Sequence, residues 1–352
     1  MSVEDLGKRS LAEAEEVGLD EILNPLRVEN TNNVSFFGLP PLDHISKVSL
    51  EVRTSAGKSQ TRVPIVELMS MAPCDGKTSL LYHLTAIAVL PAALGGRQAA
   101  VIILDTDGRY SVSRLVQQLQ VVIRDGRKAD EGCESPSDII HRALKHVHLF
   151  HPQSLASTVA TARSLEKYLF DAKRHYSFDR HIGLIVLDSA SSSYWQNKSE
   201  VEDAALLANT SGSKSSAQPN GYVQLAAALK NASRIFCAPV VFTSRHLGPA
   251  KSSAGFALDG HSIRPSLPPP WQDLPSLRMI VQRTPVRKLP VEISVEEAKQ
   301  ESEQRQKVVE QGRFECFVNE WGLDERTLEK LRSAFEFYVS EDGVKIENGQ
   351  AQ

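Results

Sequence analysis

The residues best equipped for chemistry stand together in Met71-Ala72-Pro73-Cys74-Asp75-Gly76-Lys77-Thr78. The stretch meets the phosphate-loop pattern G-x-x-x-x-G-K-[ST] at every fixed position except the first, which is Met71. In such a loop Gly76 permits close backbone approach, and free amides at a helix N-terminus face the phosphates. Lys77 supplies charge to the β and γ phosphates, and Thr78 offers its hydroxyl to Mg2+. A side chain at Met71 resists a turn that glycine allows, so a distorted loop or a weak site is expected. The plainer alternative for a Gly-Lys-Thr triplet is a surface turn with an exposed lysine.

Carboxylates that could complete the site lie downstream. Asp188 ends the apolar run Leu184-Ile185-Val186-Leu187, where it could hold a Mg2+ shell or simply cap a turn. Asp105-Thr106-Asp107-Gly108 ends an earlier apolar run. A carboxylate there could orient an attacking water, or it could close an Asx turn at that corner.

For these residues to meet, strands must end at them. Val63 to Met69 predicts a strand running into the loop, and beyond the loop Leu80, Leu81, Leu84 and Ile87 recur at helical spacing until Pro91. Ala99 to Leu104, His146 to Phe150, His181 to Leu187 and Pro239 to Thr243 predict further strands, short and apolar as in a parallel sheet buried on both faces. Val112, Leu115, Val116, Leu119 and Val122 mark an amphipathic helix, and Leu155 to Lys173 and Tyr222 to Phe236 two more. Strands alternating with helices predict an α/β fold with a mainly parallel central sheet flanked by helices and joined by right-handed crossovers.

Other segments break that rhythm. Gly38-Leu39-Pro40-Pro41-Leu42 predicts a turn-rich connector. Gln196 to Asn220 and Ser244 to Pro270 predict long loops leaving the same carboxyl edge of the sheet. Glu292 to Gln311 is dense in charge and predicts a solvated helix, and Phe335 to Val339 followed by Asp342-Gly343-Val344 a terminal hairpin. The expected organisation is an N-terminal helical segment and linker over 1–60, a core over 61–290, and a charged helical insertion with C-terminal strands packing on the core over 291–352.

Composition narrows the classes. The chain has 352 residues, a formal net charge of −3 and a hydrophobic fraction of 41%, which excludes a wholly disordered chain and a histone-like basic protein. Its four cysteines, Cys74, Cys133, Cys237 and Cys316, form no C-x-x-C pair, so no disulfide framework or zinc knuckle is indicated. Glu4 and Asp5 and the lack of an apolar stretch near Met1 argue against a leader, and no apolar run approaches the roughly 18 residues of a membrane span. A soluble cytoplasmic or nuclear protein is expected. His141, His146, His148 and His151 invite a zinc reading, but without a carboxylate or thiol at ligand spacing ordinary histidines are preferred. For Trp195 packing is preferred over base stacking, while Phe36 and Phe37 could equally dock on a partner or cover a sheet edge of this chain.

The stretches MAPCDGKTSLLYHLTAIAVLP, VIILDTDGRYSVSRL and LIVLDSASSSYW together resemble the ATPase core of RecA-type recombinases, and within them the eukaryotic recombinase paralogues of the X-ray-repair cross-complementing type. Trp271-Gln272 with Arg278-Met279 and the closing Asp342-Gly343-Val344 are similar too. The resemblance implies a RecA-like P-loop NTPase core. It implies ATP at Asp75, Gly76, Lys77, Thr78 and Ser79, Mg2+ at Thr78 and Asp188, and a catalytic carboxylate at Asp107. It further implies a nuclear subunit of a hetero-oligomer of recombinase paralogues in homologous-recombination repair of double-strand breaks, with the two long loops corresponding to DNA-facing loops. Three departures restrict the expected activity to at most a weak ATPase that does not form filaments alone. Met71 replaces a glycine, Asp107 stands where glutamate is usual, and no Phe is followed three positions later by Ala. Charge adds a fourth restriction. Arg245, Lys251 and Arg264 face only Asp259 in one long loop, but Lys198 and Lys214 are outnumbered by Glu200, Glu202 and Asp203 in the other, so DNA binding is expected to be weak or confined to the complex. The competing expectations are a turnover-competent P-loop ATPase or small-molecule kinase, and a nucleotide-free interaction module.

Overall fold

The computed structural model describes residues 35–55, 57, 62–126, 134–211, 220–248, 261–284 and 294–347. Contacts divide the chain into Met1–Ser35 and Phe36–Gln352, and the architecture below is that of the second unit.

Among the described residues nine strands form one sheet. In chain order they are β1 (Ile65–Ser70), β2 (Ala100–Asp105), β3 (Val147–Phe150), β4 (Ile182–Asp188), β5 (Val240–Arg245), β6 (Leu277–Arg283), β7 (Arg313–Val318), β8 (Ala334–Val339) and β9 (Val344–Glu347). Their spatial order is β3-β2-β4-β5-β1-β6-β7-β8-β9. The first six pair in parallel, and β7, β8 and β9 extend the sheet antiparallel. Every residue of β1, β2 and β4 is buried, because helices cover both faces of a parallel sheet.

Among the described residues nine α-helices flank it: α1 (Pro40–Ser55), α2 (Lys77–Val89), α3 (Val112–Gly126), α4 (Pro136–Leu144), α5 (Leu155–Leu169), α6 (Tyr194–Ser211), α7 (Gly221–Phe236), α8 (Val295–Glu310) and α9 (Glu325–Leu331). Val159, Ala162 and Leu165 of α5 and Leu225, Ala226 and Leu229 of α7 join Ile102, Leu104, Ile185, Leu187, Val240 and Phe242 in one core. Trp271 seals that core, its indole N–H donating to the Tyr222 carbonyl at 2.9 Å. The alternate residues of these strands turn toward the side where α2 and α3 pack.

The alternation read from the sequence is therefore observed, with four corrections. Gly38 to Leu42 is not a plain connector: Pro40 begins α1, since proline suits a first helical turn whose N–H has no partner anyway. Asp43 holds that entry by accepting the Phe37 N–H at 2.7 Å. Most of Gln196 to Asn220 is helix α6, for the run Glu200 to Leu207 consists mainly of good helix formers, and 212–219 lie outside the described residues. Trp195 on α6 is 57% exposed and is not a core residue. Strands β6 and β7 were not foreseen. Phe36 and Phe37 are buried in this chain, the self-covering alternative. The charged segment forms α8, started by a reciprocal capping box between Ser294 and Glu297. The terminal hairpin is β8–β9, and Gln118 of α3 acts toward it as a strand would. Its amide donates to the Val344 carbonyl at 3.0 Å, and its carbonyl accepts the Val344 N–H at 2.6 Å.

Candidate functional site

Parallel pairing brings the ends of β1, β4 and β5 side by side: Ser70 lies opposite Arg245, and Leu187 opposite Phe242. The Met71–Gly76 loop leaves β1 at this edge and enters α2 at Lys77. Gly76 is the N-cap residue, in the left-handed region at φ 83°, and no side chain caps the helix. The first-turn amides thus keep the partial positive charge that suits an anion.

Gly76 is required here for two reasons. Its φ is one that side chains resist, and a Cβ would lie 2.8 Å from Cδ1 of Phe314 and 3.0 Å from Cζ of Phe337. These rings, from β7 and β8, stack on each other at 5.3 Å between centroids. Met71 by contrast has no positive φ and is exposed, so Met71→Gly would relieve no left-handed strain. The strained non-glycine residue in the loop is Cys74, at φ 64°.

The side chains at the loop converge with Asp188. The Thr78 hydroxyl donates to Asp188 Oδ2 at 2.9 Å, and the Thr243 hydroxyl, from β5, donates to Oδ1. Burial pushes the Asp188 carboxyl above the usual carboxylate range, against the pull of these two hydroxyls. The Lys77 ammonium donates to the Ser70 hydroxyl. Burial lowers its pKa, while Asp75 foremost and then Asp188 raise it. Asp75 itself accepts the Ala72 N–H at 2.9 Å, and burial raises its carboxyl. Ser79 follows in the first turn of α2, half-buried. Within the sheet, buried Glu67 of β1 is matched by Arg278 of β6 at 2.8 Å and by the Ser244 hydroxyl of β5 at 2.6 Å, which ties three strands together.

The two aspartates at the end of β2 and just beyond it separate in role. Asp105 is buried and accepts the backbone N–H groups of Arg109 at 3.2 Å and Tyr110 at 2.9 Å, so it closes the corner. Asp107 is exposed at the same edge, its carboxyl raised by its partly enclosed setting and by the Asp188 charge. Thr106 between them bonds the Ser189 backbone through its hydroxyl, locking the β2 and β4 ends to each other.

A hydroxyl and a carboxylate in contact form a hard oxygen pair of the kind Mg2+ accepts, with phosphate and water completing its shell. Among the described residues no group of three or more His, Cys, Asp or Glu could hold a metal by itself. His146 and His148 share the buried Ser177 hydroxyl, at 3.0 and 2.9 Å, and are ordinary bonded histidines. Thr243, Ser70 and the Phe314–Phe337 pair escaped sequence reasoning. A hydroxyl at the end of a strand beside Asp188 was a usable signal for Thr243. The rings had none, being more than 230 positions away.

An α/β protein with a mostly parallel sheet, carrying a lysine, a threonine and an aspartate together at its carboxyl edge, is the class that fold and site define. No protein-family model matches the chain. DNA repair protein XRCC2 of Mus musculus is 32% identical to it over 136 residues, 38% of this chain and 43% of that protein. The aligned part is thus less than half the length of the curated relative. The resemblance to a recombinase paralogue, specifically to group two of the X-ray-repair cross-complementing set, agrees with that similarity.

Proposed function

We propose that the chain is a RecA-like paralogue that binds ATP with Mg2+ and serves homologous-recombination repair of DNA double-strand breaks in the nucleus, as a subunit of a complex with other recombinase paralogues. The observation that carries this reading is the convergence of Lys77, Thr78 and Asp188 at the mouth of an uncapped helix, in a chain similar to XRCC2. Lys77 would neutralise phosphate charge, Thr78 and Asp188 would hold the Mg2+, and the amides from Gly76 to Ser79 would face the phosphates. Bound Mg2+ supplies charge neutralisation at the phosphates. Asp107 is a shorter carboxylate than the glutamate the resemblance leads one to expect there, so nucleotide would organise the subunit more than drive it.

The test is nucleotide titration of the purified full chain with and without Mg2+, beside Lys77→Ala, together with co-expression with other recombinase paralogues. The expected result is Mg2+-dependent ATP binding by the wild type, at least about tenfold weaker in Lys77→Ala, because the ammonium meets phosphate and contributes little packing. Equal binding by both proteins, or none by either, would assign the chain to the nucleotide-free interaction modules. Robust DNA-stimulated turnover would assign it to the active ATPases.

A further inference from the structure

The sheet is left open at its antiparallel end. In the β8–β9 pair Val344 lies opposite Val339, whose N–H points the other way, to the Gly312 carbonyl. Val344 therefore turns its own N–H and C=O outward, where the Gln118 amide takes both. The outward direction recurs at every second residue, so Ile346, opposite Phe337, presents its N–H and C=O at the same edge. Among the described residues neither group has a partner.

A cavity of about 520 Å3 opens beside that edge. Its apolar walls include Leu39 from the start of α1, Ile87 of α2, Val121 and Val122 of α3, and Ile346 itself. His83 of α2 lines it too. The Gln118 amide nitrogen, already a donor to the Val344 carbonyl, lies 3.1 Å from His83 Nδ1, so Nδ1 accepts and the ring proton sits on Nε2. Burial holds this imidazole at about 4, which keeps the ring neutral at neutral pH with Nε2 as its one N–H donor. Asp125 and Lys345 also line the cavity and are opposite in charge, so the site suits an uncharged occupant.

Apolar walls beside an open N–H and C=O pair and one further N–H donor are the complement of an extended peptide. Such a segment offers a C=O and an N–H on each residue and an apolar side chain between them. A small apolar molecule would satisfy the walls and leave the backbone groups unmet. A second β9 is a poor fit, because Gln118 already fills the outer groups at Val344 and guards that part of the edge against self-pairing.

We propose that the groove between β9 and helices α2 and α3 is a docking site for an extended, uncharged segment of another protein. One residue of that segment pairs with the Ile346 N–H and C=O, its apolar side chain enters the cavity, and a nearby carbonyl accepts from His83 Nε2. The site is separate from the nucleotide reading and stands or falls without it.

The experiment selects binders from a displayed library of random octapeptides on the full-length protein. The selected peptides are then titrated by fluorescence anisotropy against the wild type, Ile346→Pro and His83→Phe. Proline removes the outward N–H without taking a bond from the β8–β9 ladder, and phenylalanine keeps a ring but has no donor. The expected peptides have an uncharged, apolar centre and bind each variant at least about fivefold more weakly than the wild type, with amide exchange at Ile346 slowed in the complex. N-methylation of the central peptide residue should weaken binding to the wild type as much, a readout that holds even where a variant folds poorly. Peptides that bind all the proteins alike, or that leave exchange at Ile346 unchanged, overturn the proposal. A selection that yields no binder overturns it as well. Dimers of the chain that Ile346→Pro separates would assign the edge to a second copy and overturn it too.

Discussion

Gly76→Ala should be strongly damaging for a single-methyl addition, and the size of the damage follows from its backbone angle and three close approaches. An alanine must adopt φ near 83°, a left-handed conformation that costs a residue with a Cβ about 1–2 kcal/mol. Its Cβ must also fit 2.8 Å from Cδ1 and 3.1 Å from Cε1 of Phe314 and 3.0 Å from Cζ of Phe337. Both rings are buried, and Phe337 is fully so, leaving little room to recoil. Overpacking of this kind costs about 1–3 kcal/mol. Lower entropy of the unfolded chain returns less than about 1 kcal/mol. A net destabilisation of about 2–4 kcal/mol is expected, a fall in Tm of roughly 4–8 °C for a unit of this size.

Urea and thermal unfolding of the wild type, Gly76→Ala, Phe314→Leu and the double variant test the cause as well as the size. Phe314→Leu opens space, so the two changes should compensate in part, with a coupling of about 1–2 kcal/mol, while the left-handed cost remains. Strict additivity, or a loss under about 0.5 kcal/mol in Gly76→Ala, would refute the close approach of the rings to the loop.

Acid should destabilise the fold before most carboxylates titrate. Burial holds His83 and His148 at about 4 against an ordinary 6.5, so their contribution is complete above pH 6.5 and is lost as pH falls from there toward 4. That amounts to about 2 kcal/mol each near pH 5. The raised carboxylates Glu67 and Asp188 act in the opposite sense. Unfolding curves at pH 7.5 and 5.0 should therefore converge in a His83→Gln, His148→Gln variant, and an unchanged pH response would count against the burial argument. Gln118→Leu should cost about 2–4 kcal/mol by stranding both backbone groups of Val344. Hydrogen exchange should report it first at β9, and protection of Val344 equal to that in the wild type would refute the pairing.

The central sheet was legible because strands buried on both faces spell themselves as apolar runs, and Ala100–Asp105 and Ile182–Asp188 fall within a residue of where those runs place them. The loop was legible because Gly76, Lys77 and Thr78 are adjacent in sequence as well as in space. What escaped has a common physical origin in distance along the chain. Strand β6 is half polar, with Arg278 and Gln282 inside it, and is a strand because Glu67 and β7 receive it. The corner role of Asp105 depends on two amides that no pattern names, and the exposure of Trp195 depends on what fails to cover it. Resemblance assigned the role of Asp107, and only geometry distinguished it from Asp105.

The aromatic lid over Gly76 has an implication for biosynthesis. Lys77, Thr78 and Asp188 emerge from the ribosome well before Phe314 and Phe337, yet the loop takes its final support from those two rings. A nascent chain can thus pair β1 to β6 and still present an unfinished Met71–Gly76 loop, which no local folding can repair. A stop codon or frameshift between Thr243 and Phe314 would yield a product with Lys77, Thr78, Asp188 and Thr243 all present and both rings over Gly76 missing, so truncation far from the loop in sequence reaches it in space.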